Sequence, residues 1–166
     1  MRILRFLRHS CTFPWQVRRV FPKRSLSAIA TLVRESECSH LAELKFVVEA
    51  ALSPGELIRG MTARQRALEV FSQLRLWDTE HNSGVLIYLL LADRRVEIIA
   101  DRGINAKTGS DVWESICRAM EAQFRTGNFE QGVLSAITQI SVLLQRHFPA
   151  QGQVNANEIG DSPVLL

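Results

Sequence analysis

The chain lacks most of what marks a metalloprotein, a hydrolase or a membrane span. Its three cysteines, Cys11, Cys38 and Cys117, are widely spaced, with no CxxC pair and no Cys/His ligand spacing. That pattern gives no zinc site and points to reduced thiols. There is no GxSxG, no HExxH and no P-loop, and the stretch GINAKTG over 103–109 lacks the GK[ST] ending. The longest uninterrupted apolar run is Val85–Ala92, far short of the roughly 20 residues a spanning helix needs. Acidic residues are missing from 1–24 altogether. Arg2, Arg5 and Arg8 interrupt every apolar stretch there, which excludes the continuous apolar segment of a secretory signal. An Arg-rich, acid-free organellar presequence has the same composition, so that reading stays open.

What is present is enough for one packed domain: 166 residues, 46% apolar and 22% charged. The net charge of +3 hides an asymmetry. Residues 1–24 carry seven Lys/Arg, whereas the remainder has a net charge of −4. A basic arm of this kind suits an anionic membrane surface or an acidic protein face. Nucleic acid is the weakest of its partners, because only Phe6, Phe13, Trp15 and Phe21 offer stacking and no nucleic-acid motif is present. At helical spacing Ile3, Leu4 and Leu7 share one face, with Arg2, Arg5 and Arg8 towards the other. The expected membrane or partner contacts are Arg2, Arg5, Arg8, Arg18 and Arg19. In the alternative, Phe13, Trp15, Val17 and Phe21 pack on the body and the arm is part of the fold.

Periodicity organises the rest. Leu26, Ile29, Ala30 and Val33 recur at helical spacing behind Ser25. The segment ELKFVVEAA over 43–51 alternates as a strand, with Leu44, Phe46, Val48 and Ala50 on one face and Glu43 and Glu49 as solvent-facing charges. Thr62 and Gln65 form a capping box before a helix striped with Ala67, Leu68, Phe71 and Leu74. Residues 84–92 read as a strand buried on both faces. A turn at Asp93–Arg94 returns the chain as VEIIAD, the second arm of a hairpin. A helix from Ser110 or Asp111 carries Ile116, Met120 and Phe124 inward and stops at Gly127. A last helix, from about 130 to 147, buries Val133, Ile137, Ile140 and Leu144. The order αβαββαα predicts a three-layer α/β/α sandwich on a small mixed sheet, the first two strands parallel and the third antiparallel. The expected division is a basic arm over 1–24, a domain over 25–148 and a flexible tail over 149–166.

The hairpin brings the loop before the second strand beside the loop after the third. Asp78, Glu80, Asn82, Asp101 and Asn105 are therefore the candidate ligands of a cation, Ca²⁺ or Mg²⁺. Arg102 and the helix start at Ser110 are the candidates for an anion. An ordinary polar turn is the competing reading of the same residues. Trp77 is expected to anchor the loop entrance and Trp113 to join the core.

Two segments carry a family resemblance. WDTEHNSGVLIYLLLADRRVEIIADRGI over 77–104 resembles the centre of the TPM domain: an acidic turn ending in Gly, a buried strand, a tight turn and a strand entering a Gly-containing loop. FRTGNFEQGVLSAITQISVLL over 124–144 resembles that domain's closing helix. The likeness covers about 25–148. It implies an α/β/α sandwich. It also implies kinship with thylakoid-lumen photosystem II repair proteins and bacterial envelope proteins, among which acid phosphatase activity and divalent-cation binding occur. The family turn Asp-Asn-Gly is replaced here by Asn82-Ser83-Gly84, so a charged ligand gives way to a neutral one and only weak Ca²⁺ or Mg²⁺ binding is expected. Bacterial relatives are typically anchored, and this chain shows no anchor. The resemblance therefore implies a cytoplasmic, non-enzymatic accessory of a membrane-associated protein complex, peripheral to the inner membrane. A divalent-metal-dependent acid phosphatase is the alternative.

Overall fold

Alternation along the strands sorts their side chains into two cores. Leu44, Phe46 and Val48 join Val85, Ile87 and Leu89 in one cluster, while Val47 joins Leu86, Tyr88 and Leu90 in the other. A sheet with two apolar faces must be covered on both. The computed structural model, which describes residues 2–151 and 158–166, shows how. In chain order it contains α1 (Arg2–Ser10), α2 (Pro14–Val20), α3 (Lys23–Glu37), β1 (Glu43–Glu49), α4 (Pro54–Ile58) and α5 (Ala63–Gln73). The hairpin β2 (Gly84–Leu90) and β3 (Arg95–Ala100) follows, then α6 (Arg102–Thr108), α7 (Ser110–Arg125), α8 (Phe129–His147) and β4 (Val164–Leu165). Residues of α3, α7 and α8 fill the first core, and those of α5 fill the second. The three-layer α/β/α sandwich is therefore present.

The sheet order is β3-β2-β1-β4. β1 pairs parallel with β2, Glu43 opposite Gly84, and β2 pairs antiparallel with β3, Val85 opposite Ala100. Thr62 and Gln65 cap α5 reciprocally, as their spacing implies, and Ser53 with Glu56 does the same for α4.

Several expectations need correction. The arm over 1–24 is not separate from the body. Val17 and Phe21 are fully buried, and Phe21 meets Phe46 and Phe129 edge-on with centroids 5.5 and 5.9 Å away. Truncating such a ring to Ala costs about 3–5 kcal/mol, so this arm cannot be removed without harm to the core. Phe13 and Trp15 stay exposed. The tail over 149–166 is also not free where it is described. β4 pairs parallel with β1, Leu166 N–H donates to Val48 O, and Lys45 Nζ donates to Gly160 O at 2.6 Å. A two-residue strand has no period to read, which is why the sequence hides it; residues 152–157 lie outside the described ones.

Glu43 and Glu49 are buried, not solvent-facing. Glu49 accepts the Tyr88 hydroxyl at 2.6 Å and Arg66 Nε at 2.9 Å, so its charge is paired inside. Trp77 and Leu68 face solvent, and Val70 takes the buried place beside Phe71 instead. Residues 102–108, read as loop, form α6.

Glu37 is buried at the end of α3, and its carboxyl is pushed up to about 8, by burial first, against the Leu44 N–H it accepts and with further push from Glu43 and Asp161. A carboxyl that ionises at 4.5 when unfolded and at about 8 when folded lowers stability progressively between those values. Glu37→Gln keeps an acceptor for Leu44 and removes the ionisation. Urea unfolding should show a gain on the order of 2 kcal/mol for the variant at mildly alkaline pH, vanishing as pH falls to the ordinary carboxylate range.

Candidate functional site

Two glycines bring the predicted loops together. A Cβ on Gly84 would lie 1.9 Å from Leu76 O, and a Cβ on Gly103 would lie 2.7 Å from Asn82 O. Only a bare backbone allows that approach. Asn82 itself has a φ of 49°, a left-handed conformation that Asn tolerates. Asp101 N–H donates to Gly84 O at 2.9 Å and locks the loop after β3 to the start of β2. The expected meeting of the 78–84 and 101–105 segments at one end of the sheet is therefore what the fold produces.

Their side chains, however, divide. Asp101 is buried and caps α6: Oδ1 accepts Arg102 N–H at 2.6 Å, and Oδ2 has no hydrogen-bond partner among the described residues. Asn105, one turn on, is exposed and donates to Ala100 O at 2.7 Å. Asp78 is exposed and lines a separate hollow with Lys45 and Val164. Glu80 is exposed, and its N–H donates to Glu158 Oε1. Arg102 is exposed beside Asp101, while Ser110 lies beyond α6 and donates to Asp111 Oδ1 at 3.3 Å. The helix that starts at Arg102 is what separates them, because it carries Asn105 and Ser110 away from the turn. Among the described residues no three His, Cys, Asp or Glu side chains gather to hold an ion. Ca²⁺ and Mg²⁺ take about six to eight oxygens, largely charged. One unpartnered carboxylate oxygen, on Asp101, with no group of three such donors around it, does not fit a cation held by the protein alone. Burial pushes the Cys117 thiol up to about 12, which disfavours the thiolate.

The second candidate surface is the N-terminal one, and its anchor was not legible in advance. Arg5 grips Asp93, in the β2–β3 turn, with Nε at 3.0 Å and Nη2 at 2.7 Å from Oδ2. His9, buried, reaches Asp93 Oδ1 through Nε2 at 3.0 Å. Its other nitrogen, Nδ1, accepts Leu52 N–H at 3.0 Å, so Nε2 is the protonated one and donates to Asp93. Burial acts to raise the Asp93 carboxyl, but the hydrogen bonds from Arg5 and His9 outweigh it and hold the group below its ordinary range. The available signal was the i,i+4 spacing of Arg5 and His9, which puts both on one edge of a helix. On the opposite edge Ile3, Leu4 and Leu7 are 78%, 68% and 54% exposed. Arg8, Arg18 and Arg19 are exposed as well; the Arg2 side chain lies outside the described residues. No described helix is long and apolar enough to cross a membrane.

Residues 18–143 match the TPM domain family. The match begins inside α2, so α1 precedes it. The BA42 protein of the psychrophilic bacterium Bizionia argentinensis, solved by NMR, is 26% identical and superposes with a TM-score of 0.75, over 86% of this chain and 93% of that one. The N-terminal domain of a protein from P. gingivalis, also solved by NMR, has a TM-score of 0.63 over 78% of this chain and 79% of that one; at 19% identity the likeness is one of fold. No curated protein matches the sequence.

The donor set at Asp101 sets a clear expectation. In calorimetric titration Ca²⁺ and Mg²⁺ should bind at about 1 mM or more weakly, and Asn82→Asp should tighten Ca²⁺ about tenfold by adding a charge where the backbone tolerates it. Tight binding by the unaltered protein would contradict this account of the donors. A variant with no gain would place any cation elsewhere.

Proposed function

The chain belongs to the TPM domain family, and on that premise we propose that it is a non-enzymatic accessory module of a membrane-associated protein complex, with α1 as its contact to the anionic cytoplasmic surface. One observation carries the reading: α1 is mounted by its charged edge. A helix that serves a core docks through its apolar stripe and turns its charges to water. Here Arg5 and His9 hold the helix to Asp93, and Ile3, Leu4 and Leu7 face outward. Moving such side chains out of water contributes about 1.5–3 kcal/mol each at full burial. Each exposed Arg brought to an anionic surface adds about 1 kcal/mol. Sparse as the stripe is, those two contributions together suit reversible interfacial binding.

A second reading, the cation-dependent acid phosphatase, is favoured by the unpartnered Asp101 Oδ2. On that reading Arg102, exposed beside Asp101, would meet the phosphate anion. Hydrolysis of p-nitrophenyl phosphate that needs Mg²⁺ or Ca²⁺ and is lost in Asp101→Asn would establish it. Absence of turnover with either ion would end it.

The membrane reading is tested by co-sedimentation with mixed phosphatidylserine–phosphatidylcholine vesicles. Binding should be present at low salt, weaken at high salt, and be absent from pure phosphatidylcholine. Ile3→Glu with Leu7→Glu should weaken it by about tenfold or more. Both positions are exposed, so the urea midpoint should not move. Unchanged binding in the double variant would remove α1 from the contact.

A further inference from the structure

β3 is an edge strand, yet its outward backbone groups are not left to water. Val96 N–H donates to Glu121 Oε1 at 3.2 Å, Arg64 Nη1 donates to Ile98 O at 2.6 Å, and Asn105 Nδ2 donates to Ala100 O at 2.7 Å. Side chains from α5, α6 and α7 thus make the bonds a neighbouring strand would make: Glu121 stands in for a carbonyl, and Arg64 for an amide. Between α5 and α7, along this edge, runs an open groove of about 830 Å³.

We propose that the β3 edge is a docking groove for an extended peptide segment of a partner protein, one that alternates acidic and apolar residues and adds to the sheet as a strand. Three features select that occupant. Strand addition supplies affinity through main-chain hydrogen bonds and selectivity through alternate side chains. Here the backbone acceptors and donors of Val96, Ile98 and Ala100 need only exchange a side-chain partner for a main-chain one. The charge is also layered. The Arg64 and Arg95 side chains are 52% and 57% exposed, whereas their partners Glu97 and Glu121 are 16% and 12% exposed. The floor of the groove is therefore negative and paired, and the lip is positive. Arg118 on α7 adds a third cation to the lip, paired at 3.5 Å with the similarly exposed Glu114, so the lip holds three arginines against one carboxylate. An acidic partner meets complementary charge there and a basic one does not. The third feature is Trp113. It lines the groove, is only 6% exposed, and its indole Nε1–H has no acceptor among the described residues. Successive residues of an added strand point to opposite faces. One set faces Arg64 on the α5 side, which suits carboxylates. The other faces Trp113 and Cys117 on the α7 side, which suits small apolar side chains beside a main-chain carbonyl that accepts from the indole N–H.

The test is fluorescence polarisation on the full chain with a fluorescein-labelled peptide of alternating valine and glutamate. It should bind saturably, and the same peptide with lysine for glutamate should not. Methylating alternate backbone nitrogens of the valine–glutamate peptide should abolish binding, because strand addition needs those donors. Arg118→Glu, at an exposed position that does not threaten folding, and Arg64→Ala should each weaken binding about tenfold. No binding of the valine–glutamate peptide overturns the proposal. So does equal binding of the lysine peptide, equal binding of the methylated peptide, or an undiminished affinity in Arg118→Glu.

Discussion

Strand β2 has no solvent-facing side. Val85, Ile87 and Leu89 enter one core, Leu86, Tyr88 and Leu90 enter the other, and both of its edges are paired. Everything else is arranged to keep that strand dry. β1 must run parallel to it, which requires the crossover through α4 and α5. The antiparallel return through Asp93 brings β3 onto its far edge. Helices α3, α7 and α8 close one face while α5 closes the other. Gly84, at its first residue, leaves no room for a side chain against Leu76 O, so even the entry to the strand is dictated by packing.

A central strand of this kind moves the problem of unpaired backbone groups to the sheet's two borders. The borders are handled differently. On the β1 side the chain's own last residues supply a strand, β4, held by main-chain bonds from Leu166 to Val48 and by Lys45 on the carbonyls of Ile159 and Gly160. On the β3 side no strand is supplied, and Glu121, Arg64 and Asn105 take that role with polar side chains. Side chains make replaceable partners, because each can turn back to water when a better one arrives. That difference makes the β3 border the one suited to exchange, and the β1 border the one suited to closure.

The opposite end of the hairpin has its own logic. Asp93 sits in the tight turn between β2 and β3, partly buried, and its charge is met by Arg5 and His9. A buried carboxylate needs such partners, and α1 provides them at the cost of leaving its apolar stripe exposed. The body has a net charge of −4 beyond residue 24, and Arg5 ties the basic N-terminal region to it by an ion pair. One arginine of that region is committed to the fold, and Arg8, Arg18 and Arg19 are not.

Periodicity in the sequence determined the layers: which residues of 84–92, 110–125 and 130–147 face inward, the parallel and antiparallel pairings, the Thr62–Gln65 cap and the meeting of the loops before β2 and after β3. These are local patterns, repeated over enough residues to be read. The resemblance of 77–104 and 124–144 to the TPM domain was likewise a matter of local strings. Tertiary structure decided the rest, because each remaining feature depends on a contact between residues distant in the chain. Glu43 and Glu49 read as surface charges until Arg66 and Tyr88 arrive over Glu49 and the segment at Ile159 arrives over Glu43. Val164 and Leu165 have no strand signal of their own and become one only against β1. Asp78, Asp101 and Asn105 belong to one loop cluster in sequence, but Asp78 lines a separate hollow, Asp101 caps α6 and Asn105 turns to Ala100 O. His9 shows in sequence only its helical spacing from Arg5. Its role exists only because Leu52 and Asp93, far along the chain, come to its two nitrogens.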